Sequence, residues 1–591
     1  MGERLFLSGD EAIARGAWEA GVRFAAAYPG TPSTDILEAI AKYPEVYAQW
    51  SPNEKVALEV GIGASRAGVR ALVAMKHVGL NVAADPFVTF SYTGVGGGTL
   101  IVDADDPYMH SSQNEQDNRY YARLAKVPML EPADSEECRK LAAFAYQLSD
   151  EYNTPVLMRI TTRIAHGKGV VNAGQRVEVD PADSWRPDPQ KWVMLPGNAR
   201  GRHVVVEKRM VKLREFSNQW EENRVVNPDG DPQFGFISSG IPYTYVREAF
   251  PEAPVLKLTM THPLPERKIR EFASTVKRIY VVEELDPYLE MAIKAMGIEV
   301  VGKEAFPILG ELSTDLVYKG VMGKERRPQI SVPADLPDRP PTLCPGCPHR
   351  GIFAVLRRLK VMVMGDIGCY TLGSLPPLNA LHACVCMGAG IGMAHGATLA
   401  GAPAEKTAAI IGDSTFMHSG ITGVMDIVYN KGVATVIVLD NSTTAMTGKQ
   451  DHPGTGVTLK GEKTKKVSIE SICRAVGVER IRYVDPYDLE ETEGVLKEEL
   501  AAKEPSVIIT TRPCTLITRE RPEVTYQVDE EKCIGCGQCS NVACMAVFMT
   551  SKNGDKVAHV DPLLCYGCGV CAQVCPVDAI VSTNGSKGGL Q

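Results

Sequence analysis

The chain has 591 residues, 44% of them hydrophobic and 23% charged, with a formal net charge of -8. That balance belongs to ordinary globular proteins, allows about four domains and excludes a strongly basic nucleic-acid-binding surface. No apolar run is long enough for a bilayer span, and Met1-Gly2-Glu3-Arg4 leads into the helix-start signal Ser8-Gly9-Asp10-Glu11. Neither a membrane anchor nor a secretory leader is therefore expected, and a cytoplasmic chain fits.

Short apolar runs alternate with helical stretches from the start to about residue 190: 22–26, 71–75, 98–102 and 155–159. The alternation predicts a parallel α/β sheet. Residues 181–201 lack periodicity and read as a linker. A second α/β unit follows, with strands at 234–238, 255–258 and 278–282, and the proline-rich stretch 328–345 reads as a boundary. A third unit runs from about 344 to 522. In it the strand 408–411 ends in Gly412-Asp413-Ser414, and the strand 436–439 ends in Asp440-Asn441. Parallel sheets bind ligands at such carboxyl ends, where a carboxylate and an amide oxygen suit a hard cation and a helix start faces a phosphate.

The tail, from about Tyr526, holds eight of the 16 cysteines: Cys533-x2-Cys536-x2-Cys539-x4-Cys544 and Cys565-x2-Cys568-x2-Cys571-x3-Cys575-Pro576. The second run has the spacing of bacterial two-cluster ferredoxins, in which the fourth thiolate reaches across to the other cube. Cys533, Cys536, Cys539 and Cys575 then hold one [4Fe-4S] cube, and Cys565, Cys568, Cys571 and Cys544 the other. Zinc knuckles or a disulfide scaffold are the alternatives. The first run departs from the pattern, with four residues before Cys544 and Met545 where proline is common. Exposed cubes favour an anaerobic or reducing setting.

The Gly412-Asp413-Ser414 … Asn441 arrangement resembles the thiamine diphosphate-binding domain, with Ser414 in place of the family's second glycine. Cys344-Pro345-Gly346-Cys347-Pro348-His349, Asp366-Ile367-Gly368-Cys369 and the glycine-rich 386–392 segment are similar to that domain of 2-oxoacid:ferredoxin oxidoreductases. The resemblance implies Mg2+ ligation by Asp413, Asn441 and the Thr443 carbonyl, with Asp366, Gly368, Cys369, Gly412, Ser414 and Asn441 around the cofactor. The pair Cys344-x2-Cys347 alone could be half a zinc site or a redox pair, but no second pair follows at suitable spacing. His382-Ala383 stands where the family carries Asp-Thr.

Three N-terminal segments complete the resemblance. Residues 52–68, around Glu54 and Glu59, resemble the pyrimidine-binding domain and imply that Glu54, with Glu59 as runner-up, is the acid beside the aminopyrimidine. Tyr28-Pro29-Gly30-Thr31-Pro32-Ser33-Thr34 resembles the motif whose threonine, Thr31, touches the 2-oxoacid. Residues 76–81 and 111–119 resemble family loops, with Arg119 offering a bidentate grip on a carboxylate or a surface salt bridge. His418 could face substrate or sit in the core. Gly94-Val95-Gly96-Gly97-Gly98 lacks the Lys-Ser/Thr ending of a phosphate loop and reads as a flexible turn.

Taken in order, the chain is similar to the large subunits of the indolepyruvate ferredoxin oxidoreductase family. That resemblance implies a multidomain α/β protein. It would have a pyrimidine-binding thiamine domain (1–190), a transketolase C-terminal-like domain (200–325), a diphosphate/Mg-binding domain (340–522) and a two-cluster ferredoxin-like domain (525–591). It implies coenzyme A-dependent oxidative decarboxylation of aryl pyruvates such as indolepyruvate and phenylpyruvate, a smaller β subunit in an α2β2 heterotetramer, and an external ferredoxin. Neither nucleic acid nor membrane is an expected partner. A non-oxidative thiamine decarboxylase or carboligase, or an electron-transfer subunit with a degenerate thiamine site, would use parts of the same pattern.

Overall fold

The computed structural model describes residues 3–326, 335–337, 339–518 and 524–584. The expected boundary at 328–345 lies partly, and the limits at 522 and 591 wholly, outside them. The chain forms two compact units, 1–332 and 333–591.

Unit 1 is built on a seven-stranded sheet in the order Met260–His262, Met129–Leu130, Val156–Thr161, Thr99–Asp105, Ala71–Lys76, Phe24–Ala27, Tyr47–Trp50. All neighbours are parallel except the first pair. Three of its central strands are buried at every position. Burial on both faces explains why they read as continuous apolar runs rather than alternating ones. A four-stranded sheet follows in the order Ile279–Val282, Gly235–Ser238, Val255–Lys257, Arg224–Val226. The strand Met260–His262 comes from this second region yet completes the first sheet, so the two regions share a hydrophobic core containing Leu157, Ile237 and Leu256.

Every strand read from the sequence is present, with ends shifted by at most three residues. Two other expectations are corrected. The supposed linker 181–201 contains the helix Pro189–Trp192 and the first turns of Pro196–Gln219. That long helix buries only Val206, Arg209, Met210, Leu213 and Ser217, all in its later turns, so its beginning carries no apolar period. The glycines at 96–98 are not a flexible turn: a Cβ on Gly97 would meet the Val69 carbonyl oxygen at 2.4 Å, and one on Gly96 the Ser65 carbonyl oxygen at 2.3 Å. They permit close packing of backbone on backbone.

An internal ion-pair network fastens the two sheets of unit 1. Arg119, 1% exposed, donates to Asp117, to Glu283 at 2.6 Å and to the carbonyls of Glu284 and Asp286, and lies over the Tyr288 ring. Beside it Arg159 donates to Asp105 at 2.7 Å and Glu131 at 2.6 Å.

Unit 2 carries a six-stranded, wholly parallel sheet in the order Ala383–Cys384, Met362–Gly365, Thr407–Gly412, Thr435–Asp440, Ser506–Thr511, Arg480–Val484. Two antiparallel pairs, Tyr526–Val528 with Ile580–Ser582 and Val547–Lys552 with Asp555–Val560, frame the cysteine-rich tail. Ile352, Phe353 and Leu356 of the thiamine-like domain share one core with Val542, Val570 and Ile580 of the tail. Among the described residues no helix is long and apolar enough to cross a membrane.

Breaking a buried ion pair by removing one partner strands the other charge, at a cost of about 3–5 kcal/mol. All five tryptophans lie in unit 1, so their fluorescence reports its unfolding alone. Urea titration of Arg119→Met by this signal is expected to show a loss of about 3–5 kcal/mol; an unchanged midpoint contradicts the fastening role.

Candidate active site

In unit 1, Glu54 opens the helix Glu54–Arg66, whose cap Asn53 accepts the Val56 N–H at 2.9 Å. Glu54 is 4% exposed and lies against Gly79, where an added Cβ would meet its Cγ and Oε1 at 2.6 Å. Glu59, the runner-up, is a surface residue paired with Lys55 one turn away. Burial sets Glu54, the first choice from the sequence, apart from the exposed Glu59.

Thr31 is half-buried, and its carbonyl accepts the Ser111 hydroxyl at 3.3 Å. Lys76 donates to the Ser111 carbonyl at 2.6 Å. Burial lowers the Lys76 ammonium to about 8 against the opposing pull of Asp106, which itself accepts the Ser111 N–H, the Ser112 hydroxyl and the Thr162 hydroxyl. The loops at 28–34 and 111–119 thus meet over a buried cation, a setting that favours an anion. Lys76 was visible in the sequence only as part of a loop. Arg119 is corrected: all three guanidinium nitrogens are engaged in the internal network, so it is neither a carboxylate holder nor a surface salt bridge.

In unit 2 the neighbouring strands Thr407–Gly412 and Thr435–Asp440 pair Gly412 with Leu439, which brings Asp413 and Asp440 side by side. Asp413, 3% exposed, accepts the Ser442 N–H at 2.7 Å, the Ser414 N–H at 2.8 Å and a 3.2 Å contact from His452 Nε2. Burial, then the Asp413 charge, raises Asp440. Two crowded acids in a buried corner call for a cation. Asn441 and Thr443 are buried next to them, and the Asn441 Oδ1 accepts the Thr443 N–H at 3.3 Å. The Asn441 amide also lies 3.4 Å from His349 Nε2; burial lowers His349 to about 4, which keeps the ring neutral and able to accept. This all-oxygen set fits Mg2+ beside a diphosphate. His452 was missed by sequence reading, because Asp451-His452-Pro453 carries no motif of its own.

Asp366 is fully buried and accepts the Tyr370 hydroxyl and, at 3.0 Å, the Gly388 N–H, while burial pushes it up to about 7. It braces the 386–390 turn and Tyr370, whose ring leaves no room for a Cβ on Gly368 or Gly412. Ser414 Oγ accepts the Thr444 hydroxyl at 2.8 Å. His418 is buried in the turn Phe416–Gly420, with its Nδ1 3.0 Å from the Ser419 hydroxyl, and His382 accepts the Val363 N–H.

Cys369 is more than a lining residue. Burial pushes Cys347 up to about 12 and Cys369 to about 11, and in each case further thiols add to the rise: Cys369 and Cys344 for the first, Cys514 and Cys344 for the second. Cys514 is raised by burial and by Cys344, and its N–H donates to the Asn441 carbonyl at 2.9 Å. Cys347, Cys369 and Cys514 thus each lie within electrostatic reach of Cys344, and the Cys514 amide ties this neighbourhood to the Asp413–Asn441 corner. Sequence reading sought a second closely spaced pair; the fold supplies two single cysteines from distant loops instead.

In the tail, Cys533, Cys536, Cys539 and Cys575 line one pocket with Val528 and Ile580. Cys571 is raised by burial, then by Cys568, Cys544 and Cys565. Cys575 thus lies with the cysteines of the first run, and Cys544 within electrostatic reach of those of the second. All 16 cysteines are free thiols. Gly535, Gly537, Gly567 and Gly569 hold φ between 66° and 74°, the left-handed turns that aim successive sulfurs inward. Backbone N–H groups of Ala558, Ala579 and Tyr526 point at the sulfurs of Cys533, Cys575 and Cys565 at 3.5, 3.2 and 3.4 Å.

Three family models match the chain: the thiamine diphosphate-binding domain of pyruvate flavodoxin/ferredoxin oxidoreductases over residues 15–191, the C-terminal binding domain of thiamine pyrophosphate enzymes over 366–510, and a 4Fe-4S dicluster domain over 526–582. Indolepyruvate oxidoreductase subunit IorA of Archaeoglobus fulgidus is 42% identical, with 94% of each chain covered. The subunit of that name from Methanothermobacter thermautotrophicus is also 42% identical over 94% of each chain. The Pyrococcus horikoshii one is 40% identical over 98% of this chain and 97% of its own. With its thiamine-binding and iron-sulfur domains, the chain belongs to the IorA family of oxidoreductase subunits, which carry out thiamine-dependent 2-oxoacid:ferredoxin oxidoreduction.

Proposed function

We propose that the chain is the large subunit of an enzyme that decarboxylates aryl pyruvates oxidatively, passing electrons to ferredoxin and the acyl group to coenzyme A. The observation that carries this reading is the bond from the Cys514 amide to the Asn441 carbonyl: it ties the diphosphate corner to a thiol group suited to iron and sulfur. Indolepyruvate as substrate is supported by the relatives' name. The four-domain division 1–190, 200–325, 340–522 and 525–591, a smaller β subunit in an α2β2 assembly, an external ferredoxin and a cytoplasmic setting belong to the same reading.

Bound thiamine diphosphate supplies an electron sink for the carbon that loses carbon dioxide. The carboxyl of Glu54 holds and exchanges the proton at the aminopyrimidine, and its burial excludes water from that exchange. Asp413, Asn441 and the Thr443 carbonyl hold Mg2+, while Ser414 and the amides after Gly412 orient the diphosphate. Thr31 and Lys76 bind the 2-oxoacid carboxylate. Cys344, Cys347, Cys369 and Cys514 would hold an inner cube, Cys544, Cys565, Cys568 and Cys571 a second and Cys533, Cys536, Cys539 and Cys575 an outer one, and such cubes would supply single-electron transfer. The exposure of Cys536 and Ile534 supports the outer position of the last. A non-oxidative decarboxylase would have no use for these thiolates, and an electron carrier with a degenerate thiamine site would have no use for a buried Glu54 or the Asp413 corner.

Glu54→Gln is expected to lower indolepyruvate-dependent dye reduction by about 10²–10⁴-fold with iron content unchanged; full turnover in this variant contradicts its role. Three cubes correspond to about twelve irons per chain, so Cys369→Ser is expected to reduce iron and acid-labile sulfide by about a third. Equal iron in variant and wild type removes the third site.

A further inference from the structure

Arg350, in the first turn of the helix His349–Leu359, is 1% exposed. Its five hydrogen bonds all end on backbone carbonyls: Leu343, Cys344 twice, Val542 and Ala543. The first two carbonyls belong to the Cys344 turn and the last two to the turn that ends in Cys544. No carboxylate is among these partners, and a buried guanidinium needs negative charge nearby. Thiols lie within reach of its charge: it opposes the larger effect of burial, which raises Cys568 and Cys347.

We infer that Arg350 is the built-in counter-charge of the cubes, a positioning residue that joins the Cys344 turn to the Cys544 turn and raises the potential of the cube bound through Cys544. Reduction adds a negative charge to a thiolate-bound cube, and a fixed positive charge in a buried site favours that form. The irregular four-residue gap before Cys544 has its use here. The short helix Gln538–Val542 and the left-handed Ala543, φ 58°, turn two consecutive carbonyls toward the guanidinium. This inference rests on the iron-sulfur reading of the thiols.

The test is an EPR-monitored redox titration of the full-length, cluster-loaded protein as wild type, Arg350→Lys and Arg350→Met. Removing the charge should move one cluster midpoint to lower potential in Arg350→Met and leave the outermost cluster unchanged; Arg350→Lys, which keeps the charge but not the fork, should stay closer to wild type. Identical midpoints in all three proteins, or equal loss of a cluster from the Lys and Met variants, overturns the inference. Absence of cubes from the wild type overturns the underlying reading instead.

A separate observation in unit 1 carries a second inference. Asp10 is 0% exposed, and neither carboxylate oxygen has a hydrogen-bond partner. Its ligand atom, with those of the exposed Asp35 and His166, falls within a 4.8 Å group. The three residues come from the helices Gly9–Glu19, Thr34–Ile40 and Thr162–His166. We propose that Asp10, Asp35 and His166 bind a divalent first-row transition ion, the class that accepts mixed carboxylate and imidazole ligands. The ion would pin Asp35, and with it the loop carrying Thr31.

The probe is Mn2+ added to the full-length protein saturated with Mg2+ and thiamine diphosphate, with thermal unfolding followed by tryptophan fluorescence. Wild type should melt at higher temperature with Mn2+, and Asp35→Asn and His166→Ala should lose that gain. Asp10→Asn should likewise gain nothing from Mn2+. No Mn2+ effect on wild type, or the same gain in all variants, overturns the site.

Discussion

Two parallel strands ending together set the chemistry of unit 2. Because Gly412 pairs with Leu439, the residues that follow each strand, Asp413 and Asp440-Asn441, emerge side by side at the carboxyl edge of the sheet. The Ser442 amide accommodates both acids, bonding Asp413 at 2.7 Å and Asp440 at 3.0 Å. An amide answers only part of that crowded charge, which suits the corner to a cation. The same register places Cys514, since the loop after the next strand, Ser506–Thr511, carries it back to the Asn441 carbonyl.

From that corner the apolar core continues into the cysteine-rich tail. Tyr487 joins the two, donating to the Gly346 carbonyl at 2.5 Å and accepting Gln573 on its own carbonyl at 2.6 Å. Tyr566, from the second cysteine run, lies against Gly346, where a Cβ would meet its side chain at 2.3 Å. Glycine at 346 allows this approach, and its φ of 66° suits the residue as well. A tail packed this tightly is a fixed continuation of the thiamine-like domain, which a single-electron path through closely spaced cubes requires.

Much of this was legible in the chain. Buried parallel strands announce themselves as unbroken apolar runs, and the tail cysteines carry the spacing of a dicluster domain. Glu54 was legible as one of two candidates; the fold separated them by burying it and leaving Glu59 on the surface. Groups assembled from distant segments were not legible. Cys514 lies far from Cys344 in sequence, and His452 carries no motif. Arg119 and Arg350 each look like an ordinary helical arginine until their partners, from remote loops, close around them. The short strand Met260–His262 was hidden because it joins a sheet from another region.

The central claim is that carbon chemistry at the thiamine site feeds the cubes directly. A single-turnover experiment tests it: indolepyruvate is mixed anaerobically with the oxidised, thiamine diphosphate- and Mg2+-loaded holoenzyme, without ferredoxin, while cluster EPR and carbon dioxide release are followed together. The account predicts that reduced-cluster signals grow in step with carbon dioxide. Release of carbon dioxide while the cubes stay oxidised would contradict it.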